Sequence, residues 1–409
     1  MFHFILYFCI KFKKMKTLDK LSLKNEKVLI RVDFNVPVNE KGKVTDDTRI
    51  RAAKPTIDYI LSKGACCILM SHLGRPDGKD AKLSLKQIQQ TVSDIIEVPV
   101  LFAEDCIGTE TQTLANNLQM GQVLLLENLR FYDEETAGDE TFAKQLSNLG
   151  SVYVNDAFGT AHRAHSSTAI IASFFKNKKA FGKLLEQEVL AIDQVMKTGE
   201  KPVLAILGGA KVSSKITIIE NILDKIDHLI IGGGMAYTFI KAAGGNIGDS
   251  LCEDEYFQYT KDLLKQAVDK NVKIHLPIDV ICTDDFANDA NSQITPIGSI
   301  PEHWMGLDSG PESIDKFAAV VAESKTILWN GPVGVFEFEN FSKGTISLGE
   351  AIAQSTAKGA FSLVGGGDSV AAVKQFGFED RVSYVSTGGG AMLESLEGKD
   401  LPGIAALMD

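Results

Sequence analysis

The stretches VLIRVDF (28–34) and ACCILMSH (65–72), with DDTRIRAAKPTIDYILSKG (46–64) between them, decide the fold. The two outer runs have strand length and are apolar without alternation, the pattern of strands covered on both faces of a parallel sheet. The segment between them is helical, so the three form a strand–helix–strand unit. The series continues with a helical LSLKQIQQTVSDIIE (83–97) and two further apolar runs, QVLLLENL (122–129) and SVYVNDAF (151–158). Alternation of this kind predicts right-handed βαβ units in a doubly wound sheet.

Around residue 183 the pattern changes. Leu184, Leu185, Val189, Ile192, Val195 and Met196 recur at spacings of three and four with charges between them, followed by Gly199 and Pro202. That predicts a long amphipathic helix over 183–200, capped by Gly199. A second α/β series then starts at VLAILGG (203–209). At 409 residues the chain exceeds what one core usually covers. The expected architecture is therefore two doubly wound parallel-sheet, Rossmann-like α/β domains joined by a long helix, with a cleft between them. The limits are 15–182, 183–200 for the connector, 201–387, and a C-terminal segment 388–409 apolar enough to dock. No repeat of solenoid type is present.

Composition narrows the function. The net charge of −11 argues against nucleic acid as a partner. Against that acidic background, six of the seven arginines (Arg31, Arg49, Arg51, Arg75, Arg130, Arg163) lie in the first 163 residues. The six cysteines lack metal-ligand spacing and read as free thiols packed in a core, which suits a reducing cytoplasm. Residues 1–14, MFHFILYFCIKFKK, place charge after the apolar stretch rather than before it, unlike a secretory signal. Ten apolar residues are too few to span a bilayer. They read as an upstream in-frame extension with Met15 as the working start, the alternative being a peripheral anchor; no membrane partner is expected.

In open α/β sheets ligands sit beyond the carboxyl ends of the strands. Those positions here carry Asp33, Phe34 and Asn35; then His72, Leu73, Gly74 and Arg75; then Arg130; and finally the segment 155–165 with His162, Arg163 and His165. Arg49 lies near a helix start signalled by Asp46, Asp47 and Thr48. Guanidiniums grip phosphate and carboxylate oxygens bidentately. A lone arginine after a strand is more often an ion-pair partner, and Asp33 and Asn35 could serve a turn. Strand ends that bring an Arg or His in succession point instead to a multiply charged anion.

The second half has glycine where the first has arginine. Four apolar runs end in glycines before a helix: ILGGAKVSSK (206–215), IIGGGMAY (230–237), LVGGGDSV (363–370) and VSTGGGAML (385–393). Glycines let backbone amides approach phosphate, and Lys211 and Lys215, one turn apart, add charge. Neither the Walker pattern nor a dinucleotide G-x-G-x-x-G is present, and glycine can also serve tight strand–helix packing. Asp368 fits either a helix N-cap or a magnesium ligand. Asn330-Gly331-Pro332-Val333-Gly334-Val335-Phe336-Glu337 forms a rigid apolar loop suited to one wall of a base pocket, or a plain turn. A protein with both halves would move a phosphoryl group between them.

RVDFNVP (31–37), SHLGRP (71–76), NDAFGTAHRAHS (155–166), ILGGAK, IIGGGMA, LWNGPVGVFE (328–337), VGGGDS and STGGGA occur in this order. From about Met15 to the C-terminus the chain resembles the phosphoglycerate kinases. The resemblance implies reversible transfer of the acyl phosphate of 1,3-bisphosphoglycerate to Mg-ADP, giving 3-phosphoglycerate and ATP, in a cytoplasmic, usually monomeric enzyme. It makes Asp33, Phe34, Asn35, Arg49, His72, Leu73, Gly74, Arg75, Arg130 and Arg163 triose-binding positions. It makes Lys211 and Lys215 the lysines at the transferring and nucleotide phosphates. Gly209, Gly233, Gly234, Asn330, Pro332 and Glu337 fall on the adenosine side, Gly366, Gly367 and Ser369 in the phosphate loop, and Asp368 on Mg2+. It also implies that residues 388–409 return to the N-terminal domain.

Combined with the chemistry of phosphoryl transfer, which is mostly positioning and charge stabilisation, this puts Arg49, Lys211, Lys215 and the Gly367 backbone in the catalytic role. No general base is required, and substrates on separate domains imply hinge closure, with the 183–200 helix and Gly388–Gly390 as hinges. The competing readings are another ATP-dependent carboxylate kinase, disfavoured by the number of arginines, and a non-catalytic nucleotide-binding protein.

Overall fold

The computed structural model describes residues 16–408. The expected extension over residues 1–14 and the thiol of Cys9 lie outside them. The chain divides into two units: residues up to Val189 together with those from Asp400 onward, and Leu190–Lys399.

The first unit contains β1 (Lys27–Arg31), β2 (Cys66–Met70), β3 (Val100–Phe102), β4 (Val123–Leu125), β5 (Val152–Asn155) and β6 (Lys179–Phe181). They form one sheet in the order β3-β4-β2-β1-β5-β6, and every pairing is parallel. β2 is buried at all five residues, as a strand covered on both faces must be. The Thr48–Ser62 helix lays Ile50, Ile57 and Ile60 into the core with Val28, Ile30, Cys67 and Leu69. Each of those fully buried side chains contributes roughly 1.5–3 kcal/mol. The chain winds outward from β1 through β2, then crosses to β5 on its other side. The loops after β4, β2, β1 and β5 are therefore neighbours, at a topological switch point.

The second unit contains β7 (Val203–Leu207), β8 (His228–Ile231), β9 (Asn246–Ile247), β10 (Lys273–His275), β11 (Asp279–Thr283), β12 (Ser292–Pro296), β13 (Ser299–Ile300), β14 (Met305–Ser309), β15 (Thr326–Asn330), β16 (Phe361–Val364) and β17 (Tyr384–Val385). The main sheet runs β10-β8-β7-β15-β16-β17, again all parallel. Its core gathers Leu204, Ile206, Ile230, Ile327 and Trp329 under Phe317, Leu348 and Ile352 from flanking helices. A three-stranded antiparallel sheet, β12-β11-β14, is added beside it. The loops after β8, β7, β15 and β16 lie side by side at the carboxyl edge.

Two details differ from the periodicity. The connector is an α-helix only over Lys183–Asp193 and continues as one wider turn, Gln194–Thr198; the division between units falls inside it. Gly199 has φ −53° and ψ 134°, so it does not cap in the left-handed conformation. It is glycine because a Cβ there would meet Thr326 Oγ1 at 2.9 Å. The C-terminal segment also changes unit later than 388. The Gly390–Leu396 helix belongs to the second unit, where Asn221 Nδ2 donates to Leu396 O at 2.6 Å. Only from Asp400 does the chain join the first unit, with Gly403 N donating to Ala161 O at 2.8 Å.

Candidate functional site

In the first unit the side chains at the strand ends form a connected, positively charged group. Asp33 follows β1, and its Oδ2 lies 3.5 Å from Arg49 Nη1. Arg49, in the first turn of the Thr48–Ser62 helix, donates from Nη1 to Asn35 O at 2.7 Å. Asn35 Oδ1 accepts from Gly74 N at 2.8 Å, locking the loop after β1 to the loop after β2. Gly74 (φ +64°) leaves no room for a side chain, since a Cβ would lie 2.7 Å from Leu83 Cδ2. Its carbonyl accepts from Arg130 Nη1 at 2.8 Å. Asn128 Nδ2 donates to Leu73 O at 2.7 Å and Leu83 O at 2.8 Å, holding the same loop from the β4 side.

The charges are not balanced. Arg130 is half-buried; burial, then the charge of Arg31, pulls its guanidinium down to about 10 despite Glu135. Its Nε is buried without a hydrogen-bond partner. His72 is held well below the usual histidine range by burial first, then by Arg31, Arg130 and Arg49. It is a neutral imidazole, so its 3.9 Å approach to Asp33 Oδ1 is not an ion pair. His165 is pushed down to about 4 by burial and then Arg130 and Arg31. Such crowding of cations is what an anion would relieve.

Not every expected residue offers a side chain. Phe34 is fully buried in the core, and only its backbone, with N donating to Ser71 Oγ at 2.8 Å, belongs to the group. Leu73 is likewise a core residue. Arg75 and Arg163 are exposed, with Arg163 Nε donating to His162 Nε2 at 3.1 Å. Arg51 points away, paired with Asp47 along its own helix. The residue that sequence reasoning left out is Arg31. It is fully buried at the end of β1, with Nε donating to Ser167 Oγ at 2.8 Å and Nη2 bonded to His72 Nδ1 at 3.1 Å. Glu135, also buried, accepts from Ser167 Oγ at 2.6 Å and Ser167 N at 3.0 Å. A guanidinium inside VLIRVDF was the available signal, since a charge within a buried strand needs a partner.

In the second unit the glycine loops pack backbone on backbone. Gly209 N donates to Pro332 O at 3.2 Å. Gly233 (φ +65°) sits so close that a Cβ would lie 2.9 Å from Gly209 N. At Gly234 a Cβ would lie 3.1 Å from Ala210 O and 3.0 Å from the Leu251 side chain. Lys211 is exposed in the loop after β7. Lys215 closes a single 3-10 turn, Ser213–Lys215, ahead of the Ile216–Ile222 helix, so the two lysines do not share one helix. Glu253 fixes that turn, accepting from Ser213 N at 3.0 Å and Ser213 Oγ at 2.6 Å. Lys215 Nζ donates to Asn330 Oδ1. Burial lowers the Lys215 amine while Asp368 opposes that shift. Asn330 Nδ2 in turn donates to Gly365 O at 2.6 Å.

Gly366 (φ +94°) is the N-cap of the Gly367–Gln375 helix, which removes the N-cap reading of Asp368. Asp368 stands exposed in the first turn near Lys215. Gly367 is open, its amide at a helix N-terminus. Ser369 is buried, and its Oγ accepts from Gly331 N at 2.6 Å, so it braces the 331 turn. Glu337 is exposed on the loop after β15, which Val335 N ties to Leu307 O at 2.8 Å. Beneath that loop Asp308 accepts from Gly344 N and Ser309 N, both at 2.9 Å. Burial pushes its carboxyl up to about 7. Two large apolar side chains near these loops, Leu251 and Phe286, are 59% and 58% exposed. Nothing in the periodicity marked them.

Among the described residues no cluster of three or more His, Cys, Asp or Glu could hold a metal by itself. A single exposed carboxylate at a glycine-led helix start does fit Mg2+, which binds through one or two carboxylates, substrate phosphates and water. No helix among the described residues is long and apolar enough to cross a membrane.

Two parallel-sheet α/β units, one with guanidiniums and imidazoles at its strand ends and the other with glycine loops and lysines, define a class: two-unit α/β proteins with basic groups at the carboxyl edge of each main sheet. Within that class the chain belongs to the phosphoglycerate kinase family, whose pattern matches residues 18–399. It is 52% identical to phosphoglycerate kinase of Porphyromonas gingivalis, with 96% of this chain and 99% of that one covered. It is 50% identical to the cytosolic phosphoglycerate kinase of Triticum aestivum, covering 97% and 98%. The solved structure of phosphoglycerate kinase from Coxiella burnetii superposes with a TM-score of 0.89 at 41% identity, covering 96% of this chain and 98% of that one.

Proposed function

We propose that the chain carries out the reaction of its family, reversible phosphoryl transfer between 1,3-bisphosphoglycerate and ADP to give 3-phosphoglycerate and ATP. It acts in the cytosol as a monomer. The observation that carries the reading is the excess of positive charge in the first unit, above all the buried, unpartnered Nε of Arg130 beside Arg31. A ligand with a carboxylate and a phosphate answers that excess; acetate or an amino acid would leave most of it unmet.

The residues divide by task. Asp33, Asn35, His72, Arg75, Arg130 and Arg163 bind the triose. His72 is an acceptor at Nδ1 toward Arg31, so its Nε2–H is free to donate. Arg49 keeps one bond to Asn35 O, and its remaining N–H groups stabilise charge on the transferring group. Lys215, held by Asn330, and Lys211 supply positive charge to the phosphates, and the Gly367 amide donates at the helix N-terminus. Gly209, Gly233, Gly234, Pro332 and Glu337 shape the adenosine side, with Leu251 and Phe286 as apolar faces. Asp368 would hold Mg2+, which when bound neutralises nucleotide phosphate charge. No proton leaves a carbon or hydroxyl centre, so the charged side chains act by position and field. Hinging in the Lys183–Asp193 helix is supported by the unit division that falls within it.

The test is a coupled assay with 3-phosphoglycerate and Mg-ATP, following NADH loss through glyceraldehyde-3-phosphate dehydrogenase. Acetate and aspartate serve as control acceptors, read by ADP release. Turnover with 3-phosphoglycerate alone supports the reading; turnover with a control acceptor moves it to another carboxylate kinase. Silence with all three, from folded protein, leaves a nucleotide-binding protein.

A further inference from the structure

We propose that a lysine-lined pocket at the amino edge of the first sheet binds a small soluble anion of the pyrophosphate type. The site is separate from the arginine group and independent of the phosphoryl-transfer reading. The pocket measures about 390 Å³, and its walls include Lys144, Ser151, Phe174, Lys176, Asn177 and Lys178. That volume is in the range of small-ligand sites. Ser151 and Lys178 immediately precede β5 and β6, so a strand's length separates the pocket from the arginine-bearing loops.

Lys176 holds φ +32° and ψ −104°, a conformation that a residue with a Cβ adopts only under strain. Glycine would take that position at less cost, so a lysine there points to a use for its side chain. Lys178 N closes the turn by donating to Phe175 O at 2.6 Å. Among the described residues Lys176 Nζ has no acceptor, and neither do the successive backbone N–H groups of Lys176 and Asn177. Successive free amides at such a turn are donors suited to an anion. Lys144, from the Glu140–Ser147 helix, sits over the Phe174 ring with Nζ 5.2 Å from its centroid. The ring orients the ammonium without taking a hydrogen bond, so its N–H groups remain for a ligand. Lys178 spends one donor on Glu26 Oε1 at 2.7 Å. Three ammonium groups against that carboxylate leave the pocket cationic in a chain of net charge −11. A compact phosphate anion answers such a site through lysines and backbone donors, while the acidity of the whole chain disfavours an anionic membrane surface.

The experiment follows backbone amides of the full chain by two-dimensional NMR during titration with inorganic pyrophosphate, so that each site is read separately. The Asn177 amide reports the pocket, and the Gly74 and Gly367 amides report the two carboxyl edges. The Asn177 amide should shift saturably. Two variants remove an ammonium: Lys176→Gly, which also relieves the strain, and Lys144→Gln. In each, the dissociation constant read at Asn177 should rise by about tenfold or more, the scale of one charged contact. The responses of Gly74 and Gly367, kcat and both KM values should stay as in the parent. Lys176→Gly should unfold at a urea concentration no lower than the parent's. Lys358→Gln, which removes an exposed lysine of the second unit, should bind as the parent does. No saturable shift at Asn177 overturns the inference, as does an unchanged dissociation constant in both variants. An equal loss in Lys358→Gln would also overturn it, by making the effect one of overall charge. So would binding to phosphoinositide vesicles in place of free pyrophosphate, which would make the surface a membrane contact.

Discussion

Arg31 Nη2 lies 3.1 Å from His72 Nδ1, and both side chains are buried. A guanidinium can only donate, so Nδ1 must accept and the His72 proton resides on Nε2. The arginine therefore sets the tautomer of a histidine at the next strand end and keeps it uncharged. That turns an imidazole into a fixed neutral donor within a cationic site.

The first prediction concerns that donor. Burial and the neighbouring guanidiniums hold His72 well below its ordinary value, so it should stay neutral from pH 6 to 8. KM for 3-phosphoglycerate should show no His72 titration in that window. His72→Ala should raise that KM about 10- to 100-fold, the scale of one hydrogen bond to a charged ligand, with kcat nearly unchanged. Nitrogen-15 NMR of the ring gives the direct check; an imidazolium at pH 6.5 would refute the assignment.

A second prediction follows from the partner of that arginine. Burial raises the Glu135 carboxyl, and Arg31 is the largest influence holding it down. Removing Arg31 leaves a buried carboxylate without its counter-charge, so Arg31→Met should destabilise the first unit by about 3–5 kcal/mol. Adding Glu135→Gln should recover much of that loss, because the neutral amide still bonds Ser167. Urea unfolding of the parent, single and double variants measures both changes. Equal stability of the single and double variants would show that Glu135 is not what Arg31 compensates.

Arg49 carries the third prediction. Its side chain is one-third exposed, with one bond spent on Asn35 O and an approach of 3.5 Å to Asp33. Arg49→Ala should leave the fold and triose affinity close to the parent. It should lower kcat by ~10³–10⁵, the range of a guanidinium that stabilises transferring phosphate. Arg163→Ala should do the reverse, raising KM for the triose with a modest change in kcat. Steady-state kinetics of the pair decides between the two roles.

The fold was legible because its signal is physical and local. Cys66–Met70 and Val203–Leu207 are continuous apolar runs that end up buried at every residue, and the loops beyond such strands are where α/β sheets place ligands. Legibility ended where a residue's role depends on distant parts of the chain. Gly199 looks like a helix cap in sequence, but it is glycine because Thr326 crosses it. Ser369 reads as a phosphate-loop hydroxyl, and nothing in the sequence shows that its Oγ accepts from Gly331 N. Phe34 sits in a site motif and belongs to the core. Leu251 and Phe286 gave no signal, since an exposed apolar residue differs from a buried one only once the neighbours are known.

Asp308 supplies the last prediction, in which the sign can be worked out. Its carboxyl is pushed up to about 7 in the folded chain by burial, against an unfolded value of ~3.9. Between those values the folded protein keeps a proton that the unfolded chain gives up. Its contribution is therefore fully present at low pH, falls as pH rises from about 4 to 7, and levels off above 7. Three units of difference set an upper limit of ~4 kcal/mol on that fall. Asn in place of Asp308 cannot lose a proton, and its amide oxygen can still accept from Gly344 N. Asp308→Asn should thus flatten the stability profile between pH 5 and 7.5. Because Asp308 lies beneath the loop that carries Glu337, KM for ATP should move with the same pH dependence in the parent and lose it in the variant. Denaturant unfolding and ATP kinetics across that range test the argument, and a parent profile that rises through the window in step with the variant would rule out a proton on Asp308.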